Sequence, residues 1–349
     1  MFAVTLQRWL DVELPVIQAP MAGVQGSALA IAASDAGGLG FLPCAMLAPE
    51  AINEELVAIT SQTKRPYGVG FFCHEPPHPD PARELAWRSV LAPYYEEFGI
   101  DPATIPAGAG RLPFTAQAAD VVERFRPAVV SFHFGLPARD LLDRVRSWGS
   151  RIVSSATTVE EARWLEAHGV DAIIAQGVEA GGHRGMFLTD AVTTQLGTLA
   201  LLPQVLRAVN VPVIAAGGIA DAKTVSAMLS LGAAAVQVGT AFLLCPESTT
   251  SKVHRAALAS EGASHTALTN LFTGRAARGI VNRIMRELGP MSAAPPPFPL
   301  ATSAIAPLRS RAEARGVGDF SPLWCGQNAS GCRDIAAGRL LRELAGVGD

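Results

Sequence analysis

The amino-acid sequence predicts an α/β fold, a (β/α)8 TIM barrel of eight parallel strands, on three observations. Short runs of β-branched or apolar residues alternate with amphipathic stretches, and eight such runs can be counted. Several runs are apolar throughout, as in V-P-V-I-A-A at 211–216, the composition of a strand in a parallel sheet covered by helices on one side and filled on the other. No G-x-G-x-x-G follows the first run, which removes the main support for a doubly wound open sheet.

In chain order, the apolar runs place strands at Val16–Ala19, Gly38–Leu42, Tyr67–Phe72, Ala128–Phe132, Arg151–Ser154, Ala172–Ala175, Val213–Ala216 and Ala235–Val238. Helical patterns follow most of them, at Ser27–Ala36, Pro49–Thr60, Arg139–Ser147, Val159–His168, Thr194–Val209 and Asp221–Leu231. Two stretches break the repeat. Residues 75–115 are rich in proline and glycine and read as an insertion after the third strand, with one helix near Ala82–Tyr95. After Leu244 the strand signals stop, and helix-like segments at Lys252–Ser260 and Arg333–Leu344 flank a proline run at 295–299. The expected organisation is a barrel over 1–245 and a helical region, 246–349, packed over the barrel mouth.

Composition narrows the function classes. Of 349 residues 49% are hydrophobic and 17% charged, which excludes a disordered chain. The net charge of −3 and seven scattered histidines leave no basic field for nucleic acid. Five widely spaced cysteines form no C-x-x-C pair, so a reduced, cytoplasmic protein is expected, without zinc or dithiol chemistry. Arg8, Asp11 and Glu13 interrupt the first apolar stretch, unlike an export signal. The uncharged runs 15–34 and 225–246 contain proline and small or polar residues and read as buried strand plus helix rather than membrane spans.

In such a barrel the functional loops follow the carboxyl ends of the strands. After the seventh strand comes Gly217-Gly218, and the eighth ends in Gln237-Val238-Gly239-Thr240. Glycines let backbone N–H groups approach an anion, and a following helix N-terminus adds favourable dipole charge, so the pair suits a phosphate. For either loop alone, tight-turn glycine is the plainer explanation; the two together favour the phosphate. After the sixth strand, Gln176 to Gly185 reads Q-G-V-E-A-G-G-H-R-G and carries His183 on a glycine-flanked loop, as a proton-transfer group or as an exposed loop histidine. The fourth strand ends in S-F-H-F-G, with His133 opposite two phenylalanines, as a substrate contact or as a core histidine bonded to backbone. His74 is a third candidate. Zinc is not expected, because the first strand ends in Gln18-Ala19-Pro20-Met21 without paired histidines and no aspartate follows the eighth. Cys44, lacking an evident base, reads as a packed thiol.

These residues resemble the nitronate monooxygenases, formerly called 2-nitropropane dioxygenases, which are FMN-dependent (β/α)8 barrels. The likeness runs through Pro15–Gly23 (P-V-I-Q-A-P-M-A-G), Gly37–Gly40 (G-G-L-G), Phe71–His74 (F-F-C-H), Ser131–Gly135, Gln176–Gly185, Ala215–Ile219 (A-A-G-G-I), Gln237–Thr240 and Thr273–Gly279 (T-G-R-A-A-R-G), with E-A-G-G-H-R-G at 179–185 the most specific block. The resemblance implies that the turn Pro20, Met21, Ala22, Gly23 lies against the flavin ring. It implies that Gln176 bonds the isoalloxazine or ribityl region, that Gly181 and Gly182 border the cofactor, and that Gly217, Gly218, Gly239 and Thr240 hold the FMN phosphate, with Gln237 and Val238 also among the cofactor-binding residues. His183 matches the family's catalytic histidine and His133 a second active-site histidine.

Two positions differ from the family pattern. Gly70 stands where members commonly carry asparagine, in a stretch expected to border the cofactor. Phe298–Ser303 and Pro307–Arg309 stand where one bacterial subgroup has tyrosines and a lysine. The implied activity is oxidation of alkyl nitronates, and of neutral nitroalkanes, by O2 to carbonyl compounds and nitrite, with a homodimer suggested by family analogy. Competing readings on the same barrel are an FMN-dependent NAD(P)H:quinone or enoyl-thioester reductase and, more remotely, a cofactor-free lyase or isomerase of a phosphorylated metabolite.

Overall fold

Eight parallel strands form the centre of the molecule, a computed structural model that describes residues 9–78, 80–106 and 111–348. They are β1 (Val16–Gln18), β2 (Gly40–Pro43), β3 (Tyr67–Phe72), β4 (Val129–His133), β5 (Arg151–Ala156), β6 (Ala172–Gln176), β8 (Val213–Ala216) and β9 (Ala235–Val238). The sheet order runs β1-β9-β8-β6-β5-β4-β3-β2, and a parallel bridge between Ile17 and Leu39 joins its two edges into a barrel. All eight predicted strands are present within two residues of their expected ends. Their unbroken apolar character has a two-sided cause. Ile173, Val130, Val213 and Val236 pack outward into the main core, while Ile174, Val129, Val153, Ile214 and Ala235 meet inside the barrel with Leu10 and Val12.

Helices α1 (Ser27–Asp35), α2 (Pro49–Gln62), α4 (Ala116–Phe125), α5 (Arg139–Ser147), α6 (Val159–Ala167), α7 (Thr198–Ala208) and α8 (Ala222–Ser230) alternate with the barrel strands. Helix α4 was not anticipated. Thr115 caps it by accepting from the Ala118 N–H at 3.2 Å, and Ala118, Ala119, Val121 and Val122 form its buried face. The uncharged runs resolve as β1 and α1 in one case and the end of α8, β9 and a 3-10 turn in the other. No helix among the described residues is long and apolar enough to cross a membrane.

The two irregular stretches form a second core together. Helix α3 (Pro81–Phe98) carries the insertion, capped at its start by Asp80 and ended by Gly99 in the left-handed region at φ 62°. The proline-glycine run ending the insertion lies partly outside the described residues, at 107–110. Trp87, Leu91, Tyr94, Tyr95 and Phe98 of α3 pack against α10 (Arg283–Leu288), α11 (Ala301–Ala314) and Phe320. Trp87 Nε1 donates to the Ala301 carbonyl at 3.3 Å and Tyr95 Oη to that of Ala304 at 2.6 Å.

The expectation of a purely helical segment after residue 245 needs correction. Besides α9 (Lys252–Leu258), this segment forms β10 (Thr266–Thr269) and β11 (Ala277–Ile280), and β11 pairs antiparallel with β7 (Gly182–His183) in a separate three-stranded sheet. These strands were illegible because their short sequences carry no continuous apolar run, and pairing, not their own pattern, specifies them. The last helix, α12 (Ala337–Leu344), does not cover the mouth. Its apolar face of Ala337, Leu340, Leu341 and Leu344 joins the main core against α1, β1 and α8 on the barrel flank.

Candidate active site

One cavity opens at the carboxyl ends of the barrel strands, and every residue assigned to the site from the sequence, the third histidine candidate His74 apart, lines it. The first turn contributes Pro20, Met21, Ala22 and Gly23, and β3 contributes Gly70. Gln176, Gly181, Gly182 and His183 come from the β6–β7 region, His133 from β4, Gly217 and Gly218 from the loop after β8, and Gln237, Val238, Gly239 and Thr240 from β9 and its loop. Gln25, unnoticed in the sequence, shapes the first turn: its Oε1 accepts from the Met21 N–H at 3.1 Å and from Gln18 Nε2 at 2.7 Å. A Cβ at Gly70 would lie 2.8 Å from Pro20 Cβ, so glycine there lets the Pro20 turn press against β3, and a larger residue would displace it.

The loops after β8 and β9 form an amide-lined cradle. Gly217 (φ 117°) and Gly218 (φ 72°) occupy conformations that disfavour any side chain. Among the described residues, nothing accepts a hydrogen bond from the backbone N–H of Gly217, Gly218, Gly239 or Thr240. Unsatisfied N–H groups on a cavity wall are what an anion requires. The expected helix contribution is different from the forecast. Asp221 and Thr224 already form a capping box on α8, and the Glu179 carboxylate takes the Thr198 N–H at the start of α7 at 2.9 Å. The anion-binding capacity therefore rests on loop amides rather than on open helix ends. The 326–328 segment lies over this cradle, with Gly326 N–H donating to Thr240 Oγ1 at 3.0 Å and Asn328 Nδ2 to the Gly218 carbonyl at 3.1 Å. Sequence reasoning missed this segment, whose polar residues resemble any surface loop. Gln237 Oε1 is buried with no partner among the described residues, which leaves it available to a bound group.

His183 is 9% exposed, on the short strand β7, and its Nε2 lies 2.9 Å from Thr273 Oγ1. Its ring is surrounded by Phe298 (5.3 Å between centroids), Trp324 (5.4 Å), Phe134 (5.9 Å) and Phe72 (6.0 Å). Burial pushes the imidazole well below its ordinary pKa, and the charges of Arg111, His133, Arg275 and His74 push it the same way. The ring is thus uncharged near neutral pH.

His133 and Gln176 hold that strand in place. His133 Nε2 lies 3.1 Å from the His183 carbonyl and its Nδ1 3.1 Å from Ser155 Oγ. Gln176 Nε2 donates to the same carbonyl at 3.0 Å, and its Oε1 accepts from the Gly185 N–H at 2.8 Å. Both nitrogens of His133 are occupied within the chain, so its bonds are those of a core histidine even though its edge reaches the cavity. The neighbouring Arg184, fully buried, donates to the Gln176 and Gly177 carbonyls and to Gln195 Oε1. His74 is not in the cavity wall, and its Nε2 meets the Arg111 carbonyl at 2.9 Å. Cys44 is buried, and desolvation raises its thiol far out of reactive range.

Two further lining residues carry charge. Arg111 sits over Phe298 at 5.9 Å, and Arg309 pairs with Glu313 at 2.8 Å. Burial lowers the Arg111 pKa, and the Arg309 charge adds to this. Its position beside the proline-glycine run of the insertion concealed it in the sequence.

The buried histidines set an acid limit on the fold. Burial pushes both His133 and His254 down to about 4, against about 6.5 in an unfolded chain. The unfolded state then binds more protons between these values, so their contribution is complete above pH 6.5 and is lost as pH falls toward 4. At pH 5 the loss is about 2 kcal/mol for each. Urea denaturation at pH 7.5 and 5.0 is expected to show this drop, reduced in a His254→Gln variant; equal stability at the two pH values contradicts it.

A family model described as nitronate monooxygenase matches residues 4–346. The nitronate monooxygenase of Pseudomonas aeruginosa is 43% identical over 340 residues, 97% of both chains, and that of Paraburkholderia phytofirmans is 41% identical over 342 residues, 96% of this chain and 92% of the relative. Among solved structures, a nitroalkane oxidase from Streptomyces ansochromogenes is similar with a TM-score of 0.89 at 39% identity, covering 96% of this chain and 95% of that one. FabK from Thermotoga maritima is similar with a TM-score of 0.72 at 25% identity, covering 97% and 94%. With a match along nearly its whole length and the same barrel, the chain belongs to the nitronate monooxygenase family.

Proposed function

We propose that this protein oxidises alkyl nitronates, and neutral nitroalkanes after removal of their α-proton, using bound FMN and O2. The observation that carries the reading is a neutral, buried histidine in the same cavity as a cradle of unsatisfied amides. The cradle fits FMN: N–H groups of Gly217, Gly218, Gly239 and Thr240 would hold its phosphate, beside Val238, and the unpartnered Gln237 Oε1 would accept from the bound cofactor. Pro20, Met21, Ala22, Gly23 and Gly70 would lie along the ring, with Gly181, Gly182 and Gln176 at its border. The chemistry FMN supplies when bound is electron transfer from the nitronate and reaction with O2, ending in a carbonyl compound and nitrite.

The chain's own residues do the rest. Phe72, Phe134, Phe298 and Trp324 exclude water around His183, which strengthens electrostatic interactions there. His183 takes the α-proton of a neutral nitroalkane. Arg111 gives the cavity a positive charge suited to an anionic nitronate. His133 and Gln176 keep β7 at a fixed depth. Five free cysteines fit a cytoplasmic site of action.

The test is nitrite release in air from ethyl nitronate, propionate 3-nitronate and nitroethane by the purified, FMN-loaded protein, with and without NADH or NADPH. Nitrite formation independent of nicotinamide is expected. A protein that releases no nitrite but whose flavin is bleached anaerobically by NADH or NADPH is a reductase instead.

A further inference from the structure

His183 can accept a proton only at a nitrogen that faces the cavity and carries a free lone pair. Its Nε2 faces Thr273 Oγ1 at 2.9 Å, whereas its Nδ1 has no partner among the described residues and is not one of their buried unpaired atoms. Thr273, between β10 and β11, is 2% exposed, so water does not compete for its hydroxyl. That hydroxyl also lies 3.4 Å from the Arg275 carbonyl, an acceptor to which it can donate. It has one proton to give, to the carbonyl or to the imidazole.

We propose that Thr273 is a positioning residue: by accepting from His183 Nε2–H and donating to the Arg275 carbonyl, it holds the neutral ring in the tautomer whose Nδ1 lone pair takes the substrate proton. The opposite arrangement, with the hydroxyl donating to Nε2, places the ring proton on Nδ1 and leaves no base in the cavity. The two also differ after proton transfer. Both nitrogens of the imidazolium are donors. In the chain Nε2–H to Oγ1–H to carbonyl, every donor keeps its acceptor as Nδ1 is protonated. In the opposite arrangement two donors would meet and the hydroxyl would have to turn. The His183 backbone is already held by His133 and Gln176 on its carbonyl, so Thr273 is the contact that governs the ring itself. In the step, the α-C–H bond breaks, the proton passes to Nδ1, and the electron pair spreads onto the nitro group to give the nitronate. No oxidant is needed.

The inference rests on His183 being the base, and the test separates the two. In the holoenzyme, 15N NMR of labelled histidine, with the His183 signals assigned by their loss in His183→Asn, is expected to show Nε2 protonated and Nδ1 bare near pH 7.5. Thr273→Val is expected to lose that preference and to lower kcat/KM for nitroethane by 10- to 100-fold, with ethyl nitronate within threefold of the parent. Thr273→Ser, which keeps the hydroxyl, should restore both signals. A parent enzyme with the proton on Nδ1, or a folded Thr273→Val with an unchanged tautomer or with equal losses on both substrates, overturns the proposal. The parent tautomer is read without any Thr273 variant, so a valine variant that fails to fold leaves the question decided. His183→Asn losing equal activity on nitroethane and ethyl nitronate would instead remove the base assignment, whichever tautomer is observed.

Discussion

Replacing His183 with asparagine is expected to leave FMN bound while lowering turnover of neutral nitroalkanes by about 10²- to 10⁴-fold, the usual contribution of a positioned general base. Preformed nitronates should fall far less, because they arrive without the proton that His183 would remove. The ring contacts Thr273 and four aromatic side chains, none of which belongs to the amide cradle, so cofactor retention follows from the separation of the two halves of the site. The pH dependence has a defined sign. Burial lowers the His183 pKa, so the base is already unprotonated at pH 6.5, and the acid limb of kcat/KM for nitroethane should lie below the range of an ordinary histidine. Parallel measurements with nitroethane and ethyl nitronate from pH 5 to 8 check both statements. An equal loss on the two substrates, or an acid limb at 6.5 or above, would show that the imidazole does not act as this base.

The second large effect is expected from Gly239→Asp. A Cβ at Gly239 meets Ala19 Cβ and Met21 Sδ at 3.5 Å, which is ordinary contact, and φ is −114°, open to any residue. The fold should therefore persist. A carboxylate placed in the cradle would repel a phosphate and compete for its amides, and FMN affinity is expected to fall by at least 100-fold, about 2.7 kcal/mol or more. Flavin fluorescence titration measures the affinity, and circular dichroism confirms the fold. A folded variant that binds FMN as tightly as the parent would place the phosphate elsewhere. An isosteric control, Gly239→Asn, separates charge from size: it should lose much less.

Much of this site could be read without coordinates because its residues sit at strand ends with recognisable local chemistry. Gly217-Gly218 and Gly239-Thr240 follow strands whose apolar period is plain, and the glycines in each announce a turn. Placing the strands therefore places the loops, since a parallel barrel sends every carboxyl end to one rim. His133 shows the limit of that logic. Its strand position was right, but its use depends on Ser155 and on the His183 carbonyl 50 positions away, and no periodicity reports a hydrogen bond at that separation. Gln176 is similar: it lines the cavity as expected, yet its side chain braces β7.

Local pattern thus determined the eight barrel strands, most helices between them and the glycine loops at their ends, because side-chain period and turn chemistry act over a few residues. Tertiary structure alone decided that the insertion and the C-terminal segment share a core, that β11 pairs with the strand carrying His183, and that Phe298 and Trp324 close around that ring. It also brought Thr273 to His183 from 90 positions along the chain. Such contacts arise from where separate segments pack, and short, half-polar strands such as β7, β10 and β11 become strands only when the partner that completes their hydrogen bonds lies beside them.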